Sequence, residues 1–439
     1  MLFGMFFGAG NLIFPVHMGQ MAGANSLPAI IGFIITGVGL PLLGVAAMGI
    51  SRSEGLREMA GRVGKGYAVF FTCALYLTIG PFFAIPRCAT TSFTVGIESM
   101  LPAESVRLAL LAFTAVFFAL VLIFSLKPGR IVTVVGKVIN PAFLVFLLAL
   151  IVISLLKPMG SVAEAVPDGT YTDGAFFNGF LEGYNTMDAL ASLAFGIVVI
   201  RVIRDMKVTE PEAVAGNTVK AGFFSCLLMA VIYALMTVMG AQSRGLFEIS
   251  ENGGIALSQI SSHYFGGLGQ FFLAVTVTLA CLKTSIGLVT SCAETFAEMF
   301  PKVRYRAWVI IFSLFPLLVA NVGLTSLITY SIPVLMFLYP LAITLILLSL
   351  FGKFFGYDKR VFVSVTAFTL VAALFDFIAA LPEGIRTAIR ADAISGFAEK
   401  VLPFYSLGLG WIVPALVGLG IGLLLHFTGK KGGQDAQQA

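Results

Sequence analysis

Apolar side chains in this chain neither alternate with polar ones nor keep to one helical face. They run together, stop at a short polar stretch, and start again. Runs of spanning length are read at 1–22, 27–51, 66–97, 107–126, 131–156, 175–203, 216–241, 266–295, 306–322, 327–352, 361–382 and 404–427. A bilayer core needs about 20 apolar residues of helix to cross it. No water there satisfies backbone groups, so runs this long and this apolar are helices, not barrel strands. The pattern predicts an all-α membrane protein with twelve transmembrane helices. Residues 1–427 form one transmembrane domain, and the Gly/Gln-rich stretch 428–439 reads as a disordered cytoplasmic tail.

Composition agrees. Of 439 residues, 58 % are hydrophobic and 11 % charged, with a mean hydropathy of +0.99. A soluble domain carries about 25 % charged residues. A soluble globular enzyme, a disordered chain and a collagen-like fibre are thereby excluded. The net charge of +5 is not a nucleic-acid signal, because no Lys/Arg patch is interleaved with aromatics. Cys73, Cys88, Cys226, Cys281 and Cys292 sit in or beside apolar runs without CxxC pairs, so they read as small buried hydrophobes. His17, His263 and His426 are too scattered for a metal cluster. The first run lacks a basic leader and a small-residue cleavage site, so it reads as a span and not a signal peptide.

Charge placement tests the span count, because cytoplasmic loops concentrate Lys and Arg. Loops on one side and the span ends beside them hold nineteen, from Arg52, Arg57, Arg62 and Lys65 to Lys430 and Lys431. The alternating loops hold six: Arg107, Lys157, Arg244, Arg386, Arg390 and Lys400. Arg87 and Lys283 fall inside spans. One missed span would scramble this alternation, so an even number with both termini cytoplasmic is expected.

Two spans are expected to be interrupted. The first holds Gly4, Gly8, Ala9, Gly10, Asn11 and then Pro15; the sixth places Glu182, Gly183, Asn185, Thr186, Asp188 and Ser192 mid-membrane. Glycine in a membrane helix often serves packing alone. Here, however, one span opens the chain and the other opens its second half. Interrupted segments in corresponding positions point to a transporter built from inverted repeats. Free amides at a half-helix start suit a carboxylate, and free carbonyls at a half-helix end suit a cation.

These residues carry a resemblance. The run 5–15, Gly37-Val38-Gly39-Leu40-Pro41-Leu42, Gly80-Pro81-Phe82-Phe83-Ala84-Ile85-Pro86-Arg87, and the stretches 183–196 and 280–294 agree in order. Together they resemble the bacterial branched-chain amino acid:cation symporters (the LIVCS or BrnQ-type carriers) of the amino acid–polyamine–organocation superfamily, over nearly the whole chain. The resemblance implies a LeuT-type fold, two inverted five-helix repeats (1–156 and 175–352) plus two accessory helices (361–427). It also implies uptake of leucine, isoleucine and valine across the bacterial inner membrane, with sodium as the usual coupling ion and no other cofactor.

The resemblance further implies site residues. Gly8, Ala9, Gly10 and Asn11 match the unwound first helix, with the Ala9 and Gly10 amides toward the substrate carboxylate; Tyr184 and Thr186 complete the substrate set. A first cation site would use the Phe6 carbonyl, Asn11 and Thr186, with Asn217 as a further ligand. A second would use the Gly4 and Phe7 carbonyls with Ala280, position 283 and Thr284. Positions 280, 283 and 284 share one helix face.

Two departures change this inheritance. Position 283 is a lysine where the LeuT-type pattern has a hydroxyl. Sodium needs oxygen ligands, and an ammonium offers only donors. The expectation is that Lys283 replaces the second sodium, leaving one sodium, protons or no ion; the alternative is that it turns to another wall or snorkels. Its cost inside the membrane, about 2.5–3.5 kcal/mol on insertion scales, argues for a role. Secondly, only seven residues precede Gly8, too few for the first span to reach the cytoplasm, so upstream residues are expected to be missing.

Other in-span charges have less specific readings. Asp188 reads as a cap of the second half-helix, a cation ligand or a lysine partner. Arg87 reads as a vestibule residue or a structural contact, and Asp376 as structural. Phe82, Phe83, Tyr184 and Phe195 either wall an aliphatic pocket or belong to the core and lipid face. A channel lacks its polar pore, and an enzyme lacks a catalytic constellation. A sensor on the same fold, or a sodium-independent or proton-coupled carrier of other apolar amino acids, remains the rival reading.

Overall fold

The computed structural model describes residues 7–126, 130–195 and 211–435, with backbone alone at 130–140, 142, 211–221 and 429–435. Gly4, Phe6 and the side chain of Asn217 therefore lie outside the described residues, as does the sixth run beyond 195.

Among the described residues the elements are helices and turns, without strands. The first two apolar runs become α1 (Ala9–Ala22), α2 (Ser26–Ile34) and α3 (Leu40–Ser51). A loop helix, α4 (Leu56–Gly61), leads to α5 (Lys65–Leu77), α6 (Ala84–Gly96), α7 (Ala103–Leu126) and α8 (Arg130–Leu156). The second half opens with α9 (Tyr171–Glu182) and α10 (188–195). Then come α11 (Pro211–Ser243), α12 (Gly253–Met299), α13 (Tyr305–Ala320) and α14 (Leu324–Phe351). The chain ends with α15 (Lys359–Ala379), the outer helices α16 (Glu383–Ala388) and α17 (Ala391–Val401), and α18 (Ile412–Asp435). α18 runs on into the stretch that composition assigns to a disordered tail.

Among the described residues, seven continuous helical stretches are long and apolar enough to cross a bilayer, and three shorter apolar helices accompany them. Ala9–Ser51 fuses the first two runs into one stretch, and the sixth run breaks between Gly183 and Met187.

The expected interruption of the sixth run is present, and for the first run the described residues show where its helix begins. Gly8 is extended (φ −121°, ψ −165°) and α1 starts behind it. α9 tightens into a 3-10 turn at Gly183–Thr186, and Met187 adopts a left-handed conformation (φ 62°, ψ 10°) before α10 begins. A non-glycine residue is held there only when its surroundings over-determine it. The third run is broken too, which the expectation of breaks in spans one and six alone missed. Gly80 is non-helical (φ −99°, ψ −119°) inside a wide turn at Thr78–Phe82. Pro81 has no N–H for the helix ladder and crowds the preceding residue, so the helix ends and re-aims as α6. The eighth run gains an unexpected outer arm: α12 bends at Gly266 (φ 59°, ψ −154°), placing 253–265 beyond the spanning part.

Glycine sets the closest approach. A Cβ on Gly19 of α1 would lie 2.0 Å from the Thr237 carbonyl oxygen of α11, and one on Gly240 of α11 would lie 2.1 Å from the Val16 carbonyl oxygen of α1. Small residues let membrane helices pack backbone to backbone, where lipid supplies no hydrophobic drive. Outward faces are apolar, with Leu108, Phe224, Leu268 and Leu318 all exposed. The five cysteines are free, and all but Cys73 are buried. Where the start of α15 meets α18, Asp358 caps α15 through the Arg360 amide (2.8 Å) and pairs with His426 at 2.7 Å.

Candidate functional site

The start of α1 is tied to α10 and α11 by three buried side chains. Asn11 Oδ1 accepts from the Gly8 amide at 3.0 Å, closing the first turn. Its side-chain nitrogen donates to Asp188 Oδ2 at 2.5 Å and contacts the Tyr233 hydroxyl. That hydroxyl donates to the same Asp188 oxygen at 3.3 Å. Buried polar groups without partners are costly, so this triangle is a strong local constraint.

The sixth-run break has its own supports. The wide turn of span two at Ile35–Gly39 presents Thr36, whose hydroxyl donates to the Phe180 carbonyl at 2.6 Å. A Cβ on Gly183 would sit 1.9 Å from that hydroxyl, so only glycine fits. Thr186 Oγ1 donates to the Gly183 carbonyl at 2.9 Å and accepts from the Asp188 amide at 3.3 Å, capping α10. Thr186 thus does the capping, while Asp188 Oδ2 reaches across to α1 and α11.

Arg87 fills the gap between the two breaks. The Gly80–Pro81 kink aims α6 so that this side chain is only 4 % exposed. Its Nη1 donates to the Asn185 carbonyl at 2.7 Å and its Nη2 to the Thr186 carbonyl at 3.5 Å. The guanidinium lies 5.0 Å over the Phe14 ring. A cation is favoured at the carbonyl end of a helix, and here a tethered one occupies the end of α9.

A cavity of about 50 Å³ lies at this junction, with room for a few waters. Gly8, Ala9, Gly10 and Asn11 of α1 line it, with Thr186, Asp188, Arg87 and Thr284. The structure thus brings eight residues that the sequence singled out, from four spans, around one space. Tyr184 is elsewhere: it stacks on Tyr339 at 4.0 Å and lines a separate outer cavity of about 440 Å³ with Glu182, Asn185 and Asp376. Phe7, whose ring packs between Phe143 and Tyr233, is outside the lining set, as are Ala280 and Lys283. Lys283 is half-buried and has no hydrogen bond or ion pair among the described residues. A further cavity of about 700 Å³ opens between α4, α5 and the end of α12.

Several lining residues escaped the sequence reading. Ile79, Ala84 and Cys88 reach the cavity because the third run bends, and the Gly80-Pro81 pair was the signal available. Phe195 lines the cavity, whereas Phe82 is exposed. Tyr233 had no local signal, being one of 11 tyrosines in an apolar stretch.

Known proteins share this architecture. The chain is 52 % identical over 433 residues to the branched-chain amino acid permease BrnQ of Lactobacillus delbrueckii subsp. lactis, covering 98 % of this chain and 96 % of that one. It is 40 % identical to BrnQ of Bacillus subtilis, covering 98 % and 96 %. Among solved structures, the inward-facing conformation of Mhp1 aligns with a TM-score of 0.60 at 15 % identity, covering 97 % of this chain and 90 % of that chain. MhsT in complex with L-phenylalanine aligns at 0.54 and 16 %, covering 97 % and 96 %. The fold is therefore of the LeuT type, in a multi-pass membrane protein, and the curated relatives are permeases rather than enzymes. The family described as Branched-chain amino acid transport protein matches residues 1–428, and the chain belongs to that family.

Proposed function

We propose that this protein imports leucine, isoleucine and valine by cation symport, exposing one mid-membrane site alternately to either side. The observation that carries the reading is the cavity at the two helix breaks, where the amide start of α1 and the carbonyl end of α9 converge. The relatives named as branched-chain amino acid permeases support the substrate. Separate cavities beside the small central one fit alternating access. In this reading 1–156 and 175–352 are the inverted repeats and 361–427 the accessory helices. Both termini face the cytoplasm and the membrane is the bacterial inner membrane, which the nineteen-to-six split of Lys and Arg supports.

The α1 amides take the substrate carboxylate, and the coupling ion is sodium or a proton. Asn11, Thr186 and the Phe6 carbonyl are the first cation set. Gly4, Phe7, Ala280 and Thr284 are the second. One observation favours a single ion or a proton: Lys283 lies one residue from the cavity-lining Thr284 and has no hydrogen bond or ion pair among the described residues. The test is uptake of labelled leucine into proteoliposomes under imposed sodium or proton gradients, with valine, isoleucine, alanine and phenylalanine as competitors. Accumulation inhibited by valine and isoleucine supports the proposal. Absence of gradient-driven accumulation, or stronger competition by alanine or phenylalanine, overturns it.

A further inference from the structure

We infer that Arg87 and Asp188 form a fixed pair of opposite charges that selects zwitterionic α-amino acids, the guanidinium taking the carboxylate of the cargo and Asp188 taking its ammonium. This rests on the reading that cargo binds in the cavity at the helix breaks.

Both side chains line that one cavity, and both are almost wholly buried, at 4 % and 3 % exposure. They do not form an ion pair with each other, the ion pairs among the described residues being Arg386–Asp392 and His426–Asp358. Buried charges are ordinarily paired, because an unmatched one is expensive in low dielectric. Two opposite charges held apart in one small cavity are matched when a third group bridges them. An α-amino acid presents its carboxylate and ammonium on a single carbon and supplies that bridge.

The anchoring of each side chain fits this use. Arg87 is bound by neutral carbonyls, those of Asn185 and Thr186. These bonds take two of its five N–H donors. Its Nη2 is 3.0 Å from where a Cβ on Gly10 would stand, so the guanidinium overhangs the first turn of α1. A carboxylate there meets the guanidinium at the N-terminal, positive end of the α1 dipole. Asp188 is oriented by Asn11 and Tyr233, which both bond to Oδ2. The two residues come from α6 and α10, so they reach the cavity from opposite breaks.

The test uses the full chain in proteoliposomes and reads competition against labelled leucine by two probes. Leucinamide lacks the carboxylate, and 4-methylpentanoate lacks the ammonium. In the unaltered protein each is expected to compete roughly 100-fold more weakly than leucine, the scale of lost charge-assisted hydrogen bonds. Arg87→Gln is expected to weaken leucine roughly 10- to 100-fold and to narrow the gap to leucinamide by the same factor, leaving the gap to 4-methylpentanoate in place. Asp188→Asn is expected to narrow the 4-methylpentanoate gap instead. Arg87→Lys, which keeps the charge, should retain discrimination against leucinamide. Uniform weakening of all three ligands in both Arg87→Gln and Asp188→Asn identifies a structural role and overturns the inference. So does either analogue competing within tenfold of leucine in the unaltered protein, a result independent of how the variants fold. If the unaltered protein neither binds nor takes up leucine, the transport reading itself fails.

Discussion

Asn11 donates to Asp188 across 2.5 Å, joining the start of α1 to the start of α10 behind the break in the sixth run. Asn11→Ala deletes the donor and leaves a buried carboxylate with one fewer bond. A hydrogen bond to a charged group is worth about 1.5–3 kcal/mol, so Asn11→Ala should lower stability by that amount. Asp188→Asn should cost less when combined with Asn11→Ala than alone. Unfolding of single and double variants in detergent measures the coupling; strict additivity would show that the contact carries no energy.

Two glycines separate steric from conformational cost. A Cβ on Gly19 collides with the Thr237 carbonyl oxygen at 2.0 Å, whereas one on Gly266 meets nothing within 4 Å. Gly19→Ala is expected to cost about 3 kcal/mol or more, because two backbones must separate. Gly266→Ala should cost about 1–3 kcal/mol, since φ 59° with ψ −154° is a region held almost exclusively by glycine. Thermal melts of the two variants, with Gly267→Ala as a neutral control, provide the comparison.

Asp358 predicts an acid-sensitive contact at the start of α15. The hydrogen bond from His426, followed by that from the Arg360 amide, holds its carboxyl below the ordinary value of 3.8. A depressed carboxyl stabilises the fold above its unfolded pKa, and the gain is lost as pH falls through the folded value. Asp358→Asn should therefore lower the melting temperature at pH 6–7, and the difference from the unaltered protein should shrink progressively as pH falls below about 3.8. A difference that stays constant down to pH 3 would refute the assignment.

Lys283→Thr restores a hydroxyl at the position one residue before Thr284. If Lys283 acts as a tethered cation, the variant should acquire steeper dependence of leucine uptake on external sodium, with a Hill coefficient rising toward about 2. Sodium titrations of uptake rates at fixed pH would detect this. An unchanged titration would place Lys283 outside the coupling machinery.

The breaks at Gly8 and Gly183–Met187 were legible because their causes are local. Glycines, an asparagine and hydroxyls interrupt otherwise uniform apolar runs. The family motifs likewise singled out Thr186, whereas Arg87, read as a vestibule residue or a structural contact, lies beside it because the third run bends. The Gly80–Pro81 break was written just as locally, yet a Gly-Pro pair in a membrane span does not say which way the next segment turns. Tyr184 was assigned to the cargo and lies against Tyr339 because a turn of a few residues faces two cavities, and sequence order cannot tell which. Tyr233 was invisible because its importance comes from α11 packing on α1, a long-range fact. The outer arm of α12 hid because its residues are apolar enough to merge with the span behind Gly266.

The reciprocal seating of Gly19 under the Thr237 carbonyl and Gly240 under the Val16 carbonyl has a mechanical meaning. With two backbone oxygens notched into opposite helices, α1 cannot slide along or roll over α11 without both collisions occurring at once. Under the proposed alternating access the pair is expected to travel as one lever, with bending at Gly8 and Met187, where the backbone leaves the helical conformation.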